Sequence, residues 1–294
     1  MHLHPTPNPS PSSCRRRVFD TTGGELGRAR FRVHALPIPG TNMIIALDHM
    51  AIGVPSVEAA ARDYTLLLGR RAAHLNDGAF FQLGNVRLAL RPSDGAGEGL
   101  HSLAFAVDDV AKAERLLAQR ALPVSKTEAK GGALQIAPEA THGVSISLGV
   151  REEAGALSPL AEAAQSAAVS GLDHVVIRSP NPERAIALYA GRLGLSLRLD
   201  RSEPAWGARL IFFRCGDLIV EVVHEFKAGF GDGPDRLWGL SWRVPVIAEA
   251  HARLRPAGVE VSDIRTGRRP GTEVFSVKSH TAGVPTLLIG PRTR

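Results

Sequence analysis

Three histidines and one glutamate stand where they could do chemistry. Leu47-Asp48-His49 recurs 125 positions later, without a gap, as Leu172-Asp173-His174. His101 leads another apolar run, His101-Ser102-Leu103-Ala104-Phe105-Ala106-Val107. The carboxylate is Glu221, inside the run Leu218 to Phe226 (LIVEVVHEF). Strand alternation puts Glu221 on one face with Ile219 and Val223, an apolar face. An unpaired carboxylate there costs on the order of several kcal/mol or shifts its pKa. A cation, a hydrogen-bond donor or a metal is therefore expected beside it; the alternative is an edge strand with Glu221 facing water. Each histidine alone reads equally well as a structural residue bonded to backbone, and their recurrence as a remnant of gene duplication. Taken together, two neutral imidazoles and one carboxylate make a facial donor set for a divalent metal (Fe, Mn, Zn or Ni), with positions open for a bidentate substrate.

The elements that must position these groups repeat. Residues 171–194 read as a short strand, Leu172 to Ile177, then a turn with Pro180 and Pro182, then a helix with Asn181 as N-cap. Ala185, Leu188, Tyr189 and Leu193 are expected on one helical face, and Gly194 at its end. In the earlier copy Pro55, Tyr64 and Gly69 match Pro180, Tyr189 and Gly194. There the spacing predicts a helix over Ser56–Leu68 and strands around Arg71–Leu75, Ala79–Leu83 and Val86–Arg91, parted by the hairpin signals Asn76-Asp77-Gly78 and Gly84-Asn85. A second unit opens at His101, with a helix over Val110–Arg120 and a last strand at Val144–Leu148; Gly131-Gly132 and Gly143 punctuate it. The third unit adds strands at Ser196–Asp200, Ala208–Arg214 and Leu218–His224. The fourth begins at Leu237, and its LWGLSWRVPVIAEAHARL aligns with LHSLAFAVDDVAKAERLL at an offset of 137. The chain is thus read as α+β, four βαβββ modules in which odd and even copies are most alike.

Composition narrows the function. The 294 residues, 44% hydrophobic and 22% charged, suffice for two cored domains. These are placed at 43–150 and 171–294, with 151–170 as linker. Residues 1–42, rich in Pro, Ser and Arg, read as a disordered tail or as a mis-assigned start upstream of Met43. No membrane span and no secretory h-region are found, and Cys14 and Cys215 make no disulfide framework, so a cytoplasmic protein is expected. The net charge of +6 is gathered at Arg15, Arg16, Arg17, Arg28, Arg30 and Arg32, so no nucleic-acid partner is expected. No phosphate-cradling glycine loop, nucleophile elbow or C-x-x-C occurs, Cys215 reads as inert core, and Gly267-Arg268-Arg269-Pro270-Gly271 reads as a turn.

The repeated strand L-D-H-[MV]-x-I, followed by a helix containing Tyr and ending Leu-Gly, resembles the vicinal oxygen chelate superfamily of glyoxalase I, extradiol dioxygenases and bleomycin-resistance proteins. The resemblance covers about residues 44–290. It implies that paired modules curl into two half-open, eight-stranded barrel-like sheets with helices outside and the active site inside. It also implies metal ligands on the first and last strand of each module. Those positions carry His49, His101, His174 and Trp238 on first strands, and Ala89, Ser147, Glu221 and Leu287 on last strands. Pairing of neighbouring modules leaves His174 and Glu221 short of a third ligand, for which His280 is considered and His224 is not. Pairing of modules 2 with 3 and 1 with 4, including exchange between subunits of a homodimer, would join His101, His174 and Glu221.

Substrate size is read from the aromatics. Trp206, Phe213, Trp238 and Trp242 gather in the second half of a chain only 5% aromatic, with Arg214 and Arg243 placed to hold a carboxylate or phenolate. An aromatic pocket for a small molecule is one reading and ordinary core is the other. The expectation is a metal-dependent dioxygenase, lyase or isomerase with Glu221 as ligand or general base; the alternative is a metal-free protein that sequesters an aromatic ligand.

Overall fold

The computed structural model describes residues 43–93, 97–127, 132–151 and 163–292. The expectations for the tail 1–42 with Cys14, for 152–162 of the linker and for Gly131 lie outside the described residues.

Four modules follow one plan. In the first, β1 (Ile44–Val54) leads to α1 (Val57–Leu68) and then to β2 (Ala73–Leu75), β3 (Gly78–Gln82) and β4 (Arg87–Pro92). Ser56 starts α1 by accepting the Ala59 N–H at 3.2 Å, and Gly69 ends it in the left-handed region at φ 64°. The helix buries Val57, Ala60, Ala61, Tyr64, Leu67 and Leu68 as one stripe against the sheet. The second module comprises β5 (Gly99–Val107), α2 (Val110–Gln119), β6 (Val124–Lys126), β7 (Leu134–Ile136) and β8 (Ser145–Val150). The third comprises β9 (Gly171–Arg178), α3 (Pro182–Ile186), β10 (Ser196–Glu203), β11 (Ala208–Cys215) and β12 (Leu218–Glu225). The fourth comprises β13 (Arg236–Arg243), α4 (Ile247–Leu254), β14 (Arg265–Thr266), β15 (Thr272–Val277) and β16 (Thr286–Pro291).

One expected helix winds differently. Asn181 caps α3 through the Arg184 N–H, but residues 187–192 continue as a π turn. The Leu193 N–H bonds the Leu188 C=O five residues back, and Leu193 is buried while Arg192 is exposed.

Two eight-stranded sheets result, ordered β2-β3-β4-β1-β5-β8-β7-β6 and β10-β11-β12-β9-β13-β16-β15-β14. Each begins and ends on a different strand, so neither closes. Within a module the first and last strands run parallel, and neighbouring modules join through antiparallel first strands, β1 with β5 and β9 with β13. Modules 1 and 2 therefore share one sheet and modules 3 and 4 the other; the pairing that would have united His101 with His174 is not the one this chain adopts.

The turn Gly84-Asn85 anchors the first sheet to the start of β9. Asn85 donates to the Leu172 carbonyl and accepts the Leu172 N–H, both at 2.8 Å, and its amide also reaches Asp217 at 3.1 Å. Asn85→Ala leaves both Leu172 backbone groups without these partners. Urea unfolding should report a loss of about 1–3 kcal/mol; an unchanged midpoint would contradict this role.

Candidate functional site

A cavity of about 650 Å³ opens on the second sheet, on the face away from the helices. Its floor is β9 and β12. His174 and Val176 project from β9, and Glu221 and Val223 from β12. β12 lies between β11 and β9, so Glu221 is not on an edge strand, and its face is the cavity face. The Glu221 carboxylate is buried and lies 3.4 Å from His174 Nε2. Burial raises its pKa above the ordinary carboxylate range; His174 and Arg268 pull the other way, and Asp173 adds to the rise.

His174 is held from behind. Its Nδ1 lies 3.0 Å from Asp173 Oδ2, and Asp173 also takes Arg243 Nε at 3.2 Å and Arg269 at 3.3 Å. Burial alone would raise the Asp173 carboxyl, but the contact with His174 and the charges of Arg269 and Arg243 outweigh it and hold the group at about 2. A carboxylate ionised over all ordinary pH places the Nδ1 proton on its own side of the ring, so Nε2 is the nitrogen turned to Glu221. Ser241 lies across from His174 in the β13–β9 register. Its hydroxyl is buried at the cavity wall without a hydrogen-bond partner, a donor available to a bound molecule.

The structure separates the residues expected to act together. His49 sits in the first sheet with Nδ1 2.9 Å from Asp48, and Ala89 occupies the position corresponding to Glu221. His101 falls at a break in the β1–β5 register, beside Gly53, where burial lowers its imidazole pKa. Its counterpart Trp238 falls at the equivalent break in β13 and does line the cavity, with the Arg178 guanidinium 4.2 Å over its ring. Trp206 also lines the cavity.

Phe213, Trp242 and Arg214 do not line the cavity. Phe213 pairs across the ladder with Val220 rather than Glu221, which turns it to the helix side against Tyr189 at 5.5 Å. A bulge at Trp238, which the β13–β9 register skips between Leu237 and Gly239, shifts the alternation along β13, so Ser241 takes the cavity position across from His174 and the Trp242 indole goes into the core opposite Leu172. Arg214 turns back onto the Gly216 carbonyl, and Arg243 is engaged with Asp173 and Asp217. His280 faces Asp63 at 3.8 Å rather than the cavity, and His224 is buried on the Ser179 carbonyl. Cys215 is buried, its thiol pushed up to about 12. Sequence reasoning missed Arg265 and Arg268, which line the opposite wall; the signal available was the pair of arginines in the turn at 267–271.

The donor set does not make a metal centre. Among the described residues no three His, Cys, Asp or Glu side chains converge. His174 and Glu221 supply two ligands, while the first- and last-strand positions of module 4 hold an indole, Trp238, and an alkyl group, Leu287, both lining the same cavity.

Comparison with known proteins agrees with the fold. Residues 173–275 match the family described as Glyoxalase/Bleomycin resistance protein/Dioxygenase superfamily. Over 100 residues the chain is 29% identical to an ethylmalonyl-CoA/methylmalonyl-CoA epimerase of Cereibacter sphaeroides, spanning 32% of this chain and 75% of that one. A halotolerant catechol dioxygenase superposes with a TM-score of 0.68 at 16% identity, covering 85% of this chain and 87% of its own. The Mn(II)-bound glyoxalase of Novosphingobium aromaticivorans superposes at 0.64 and 16% identity, over 84% and 82% of the two chains. At these identities the solved structures speak to fold. No helix among the described residues is long and apolar enough to cross a membrane.

The donor argument has a direct check. Elemental analysis after incubation with Mn(II), Fe(II), Zn(II) or Ni(II) and desalting should find no stoichiometric metal in the native chain. The double variant Trp238→His with Leu287→Glu, which restores two donors beside His174 and Glu221, should retain one. Stoichiometric metal in the native protein, lost in His174→Ala, would contradict the reading.

Proposed function

From the resemblance to the glyoxalase, bleomycin-resistance and dioxygenase superfamily, we propose that the protein binds a small organic substrate in the C-terminal cavity and moves a proton on it, chemistry of the isomerase or lyase kind. One observation carries this reading: a buried carboxylate, Glu221, facing the cavity with His174 Nε2 as its partner at 3.4 Å.

The pair at rest holds one proton between Nε2 and the carboxylate. Glu221 takes a second from a carbon acid of the substrate, leaving a carboxylic acid beside an imidazolium whose charge Asp173 compensates. Negative charge developing on the substrate is met by the free Ser241 hydroxyl. The same groups return the proton to the other side of the carbon or to a neighbouring one. With His174 and Glu221 as two donors and no third converging on them among the described residues, no step is routed through a metal. A second reading, sequestration without turnover, has its own support: Trp238 and Leu287 replace donors with apolar surface, which suits holding a ligand more than activating it.

Proton exchange tests the choice. Small carbonyl compounds with an acidic C–H, incubated in D2O with the protein and followed by NMR, should gain deuterium. Glu221→Gln should slow the exchange about 100-fold or more. The native rate should rise with pH through a midpoint above the ordinary glutamate range, because the base works ionised and burial raises its pKa. Exchange undiminished in Glu221→Gln would overturn the proposal. Saturable binding with no exchange would leave sequestration.

A further inference from the structure

The turn at 267–271 reads from sequence as a connection, yet it reaches into the site. It joins β14 to β15 and is tied by the Gly267 N–H to the Thr272 carbonyl at 2.8 Å and by the Thr272 hydroxyl to the Arg269 carbonyl at 2.6 Å. A Cβ on Gly267 would lie 2.3 Å from Thr272 Oγ1, so only glycine fits this closure. The two arginines then diverge. Arg269 points back to Asp173, the carboxylate that holds His174, at 3.3 Å. Arg268 lies over the Trp206 ring at 4.2 Å and lines the cavity. Trp206 belongs to the β10–β11 connection, at the other edge of the half-open sheet, and a second guanidinium, Arg201, lies 5.3 Å from its centroid. The Arg268–Trp206 contact thus bridges the two sheet edges across the cavity mouth.

Arg268 has charge to spare. Among the described residues no carboxylate comes within ion-pair distance of it, whereas Arg178 and Lys227, also at the cavity, both engage Glu225. Arg265 beside it is held by two hydroxyls, Ser262 and Ser276, and by no carboxylate among the described residues. Two guanidiniums with no carboxylate at ion-pair distance among the described residues face a cavity whose walls carry two exposed indoles, Trp206 and Trp238. A guanidinium fork matches a carboxylate, and stacking on an indole fixes its plane.

We infer that the substrate is a small organic carboxylate with a flat or apolar body, its carboxylate held by Arg268, with Arg265 alongside, and its body lying between Trp206 and Trp238. This rests on the C-terminal cavity being the functional site. It goes further in assigning the turn as the element that selects an anion and keeps it on the side of the cavity from which Arg268 also acts on Glu221.

Calorimetry with phenylacetate and its neutral isostere phenylacetamide, on the folded native chain and on Arg268→Gln, reads this directly. Phenylacetate should bind the native protein about ten-fold or more tighter than the amide, the difference a charge-assisted contact supplies. In Arg268→Gln, with an unchanged circular dichroism spectrum, the two probes should bind alike and weakly. Equal affinities in the native protein, no binding of either probe, or a preference that survives Arg268→Gln would overturn the assignment. Glu221→Gln separates the two proposals. Retained selectivity for the anion in that variant, together with failure of the exchange test, would sink proton transfer and leave the carboxylate site standing.

Discussion

The constraint on which the second half of the chain depends is a carboxylate buried on a central strand. Glu221 is buried in a central strand, and ionising it there is unfavourable unless charge is supplied nearby. The supply is layered. His174 faces it, Asp173 fixes His174, and Arg243 and Arg269 fix Asp173. Arg243 in turn pairs with Asp217, which Asn85 of the first sheet also holds. A chain of polar contacts therefore runs from the turn of module 1 to the floor of the cavity. It gives the first sheet, which lacks the acid, a part in positioning the second.

The two halves show what duplication kept and what it let go. Asp48–His49 reproduces the Asp173–His174 contact at nearly the same distance, 2.9 Å against 3.0 Å. Its partner position is Ala89, so the histidine is left half-exposed with nothing to act with. The paired strands bear the same relation in both sheets, Ala51 beside Ala89 and Val176 beside Glu221. At that register position the supporting sheet carries a methyl group where the site carries its acid.

Much of this was legible because strand and helix periods are regular. The repeat fixed the order of the elements, the apolar stripes fixed the helices, and the alternation in LIVEVVHEF placed Glu221 on a face that needed a partner. What failed was whatever depended on an irregularity. A bulge at Trp238 shifts the alternation along β13, so Trp242 is core rather than pocket. Phe213 was misplaced by its opposite neighbour, since only cross-strand register says whether it stands across from Glu221 or Val220. The pairing of modules was equally out of reach, because both arrangements share one sequence pattern. Arg268 escaped notice because a turn between edge strands gives no periodic signal, and its approach to Trp206 follows from the curl of the whole sheet.

The claim on which the account turns is that His174 presents Nε2 to Glu221 while Asp173 holds the proton on Nδ1. Imidazole nitrogen-15 shifts of the labelled protein, assigned by loss of the signal in His174→Gln, measure this directly. The expected result is a proton on Nδ1 and an Nε2 signal that alters in Glu221→Gln. A neutral His174 with its proton on Nε2, indifferent to Glu221→Gln, would contradict it.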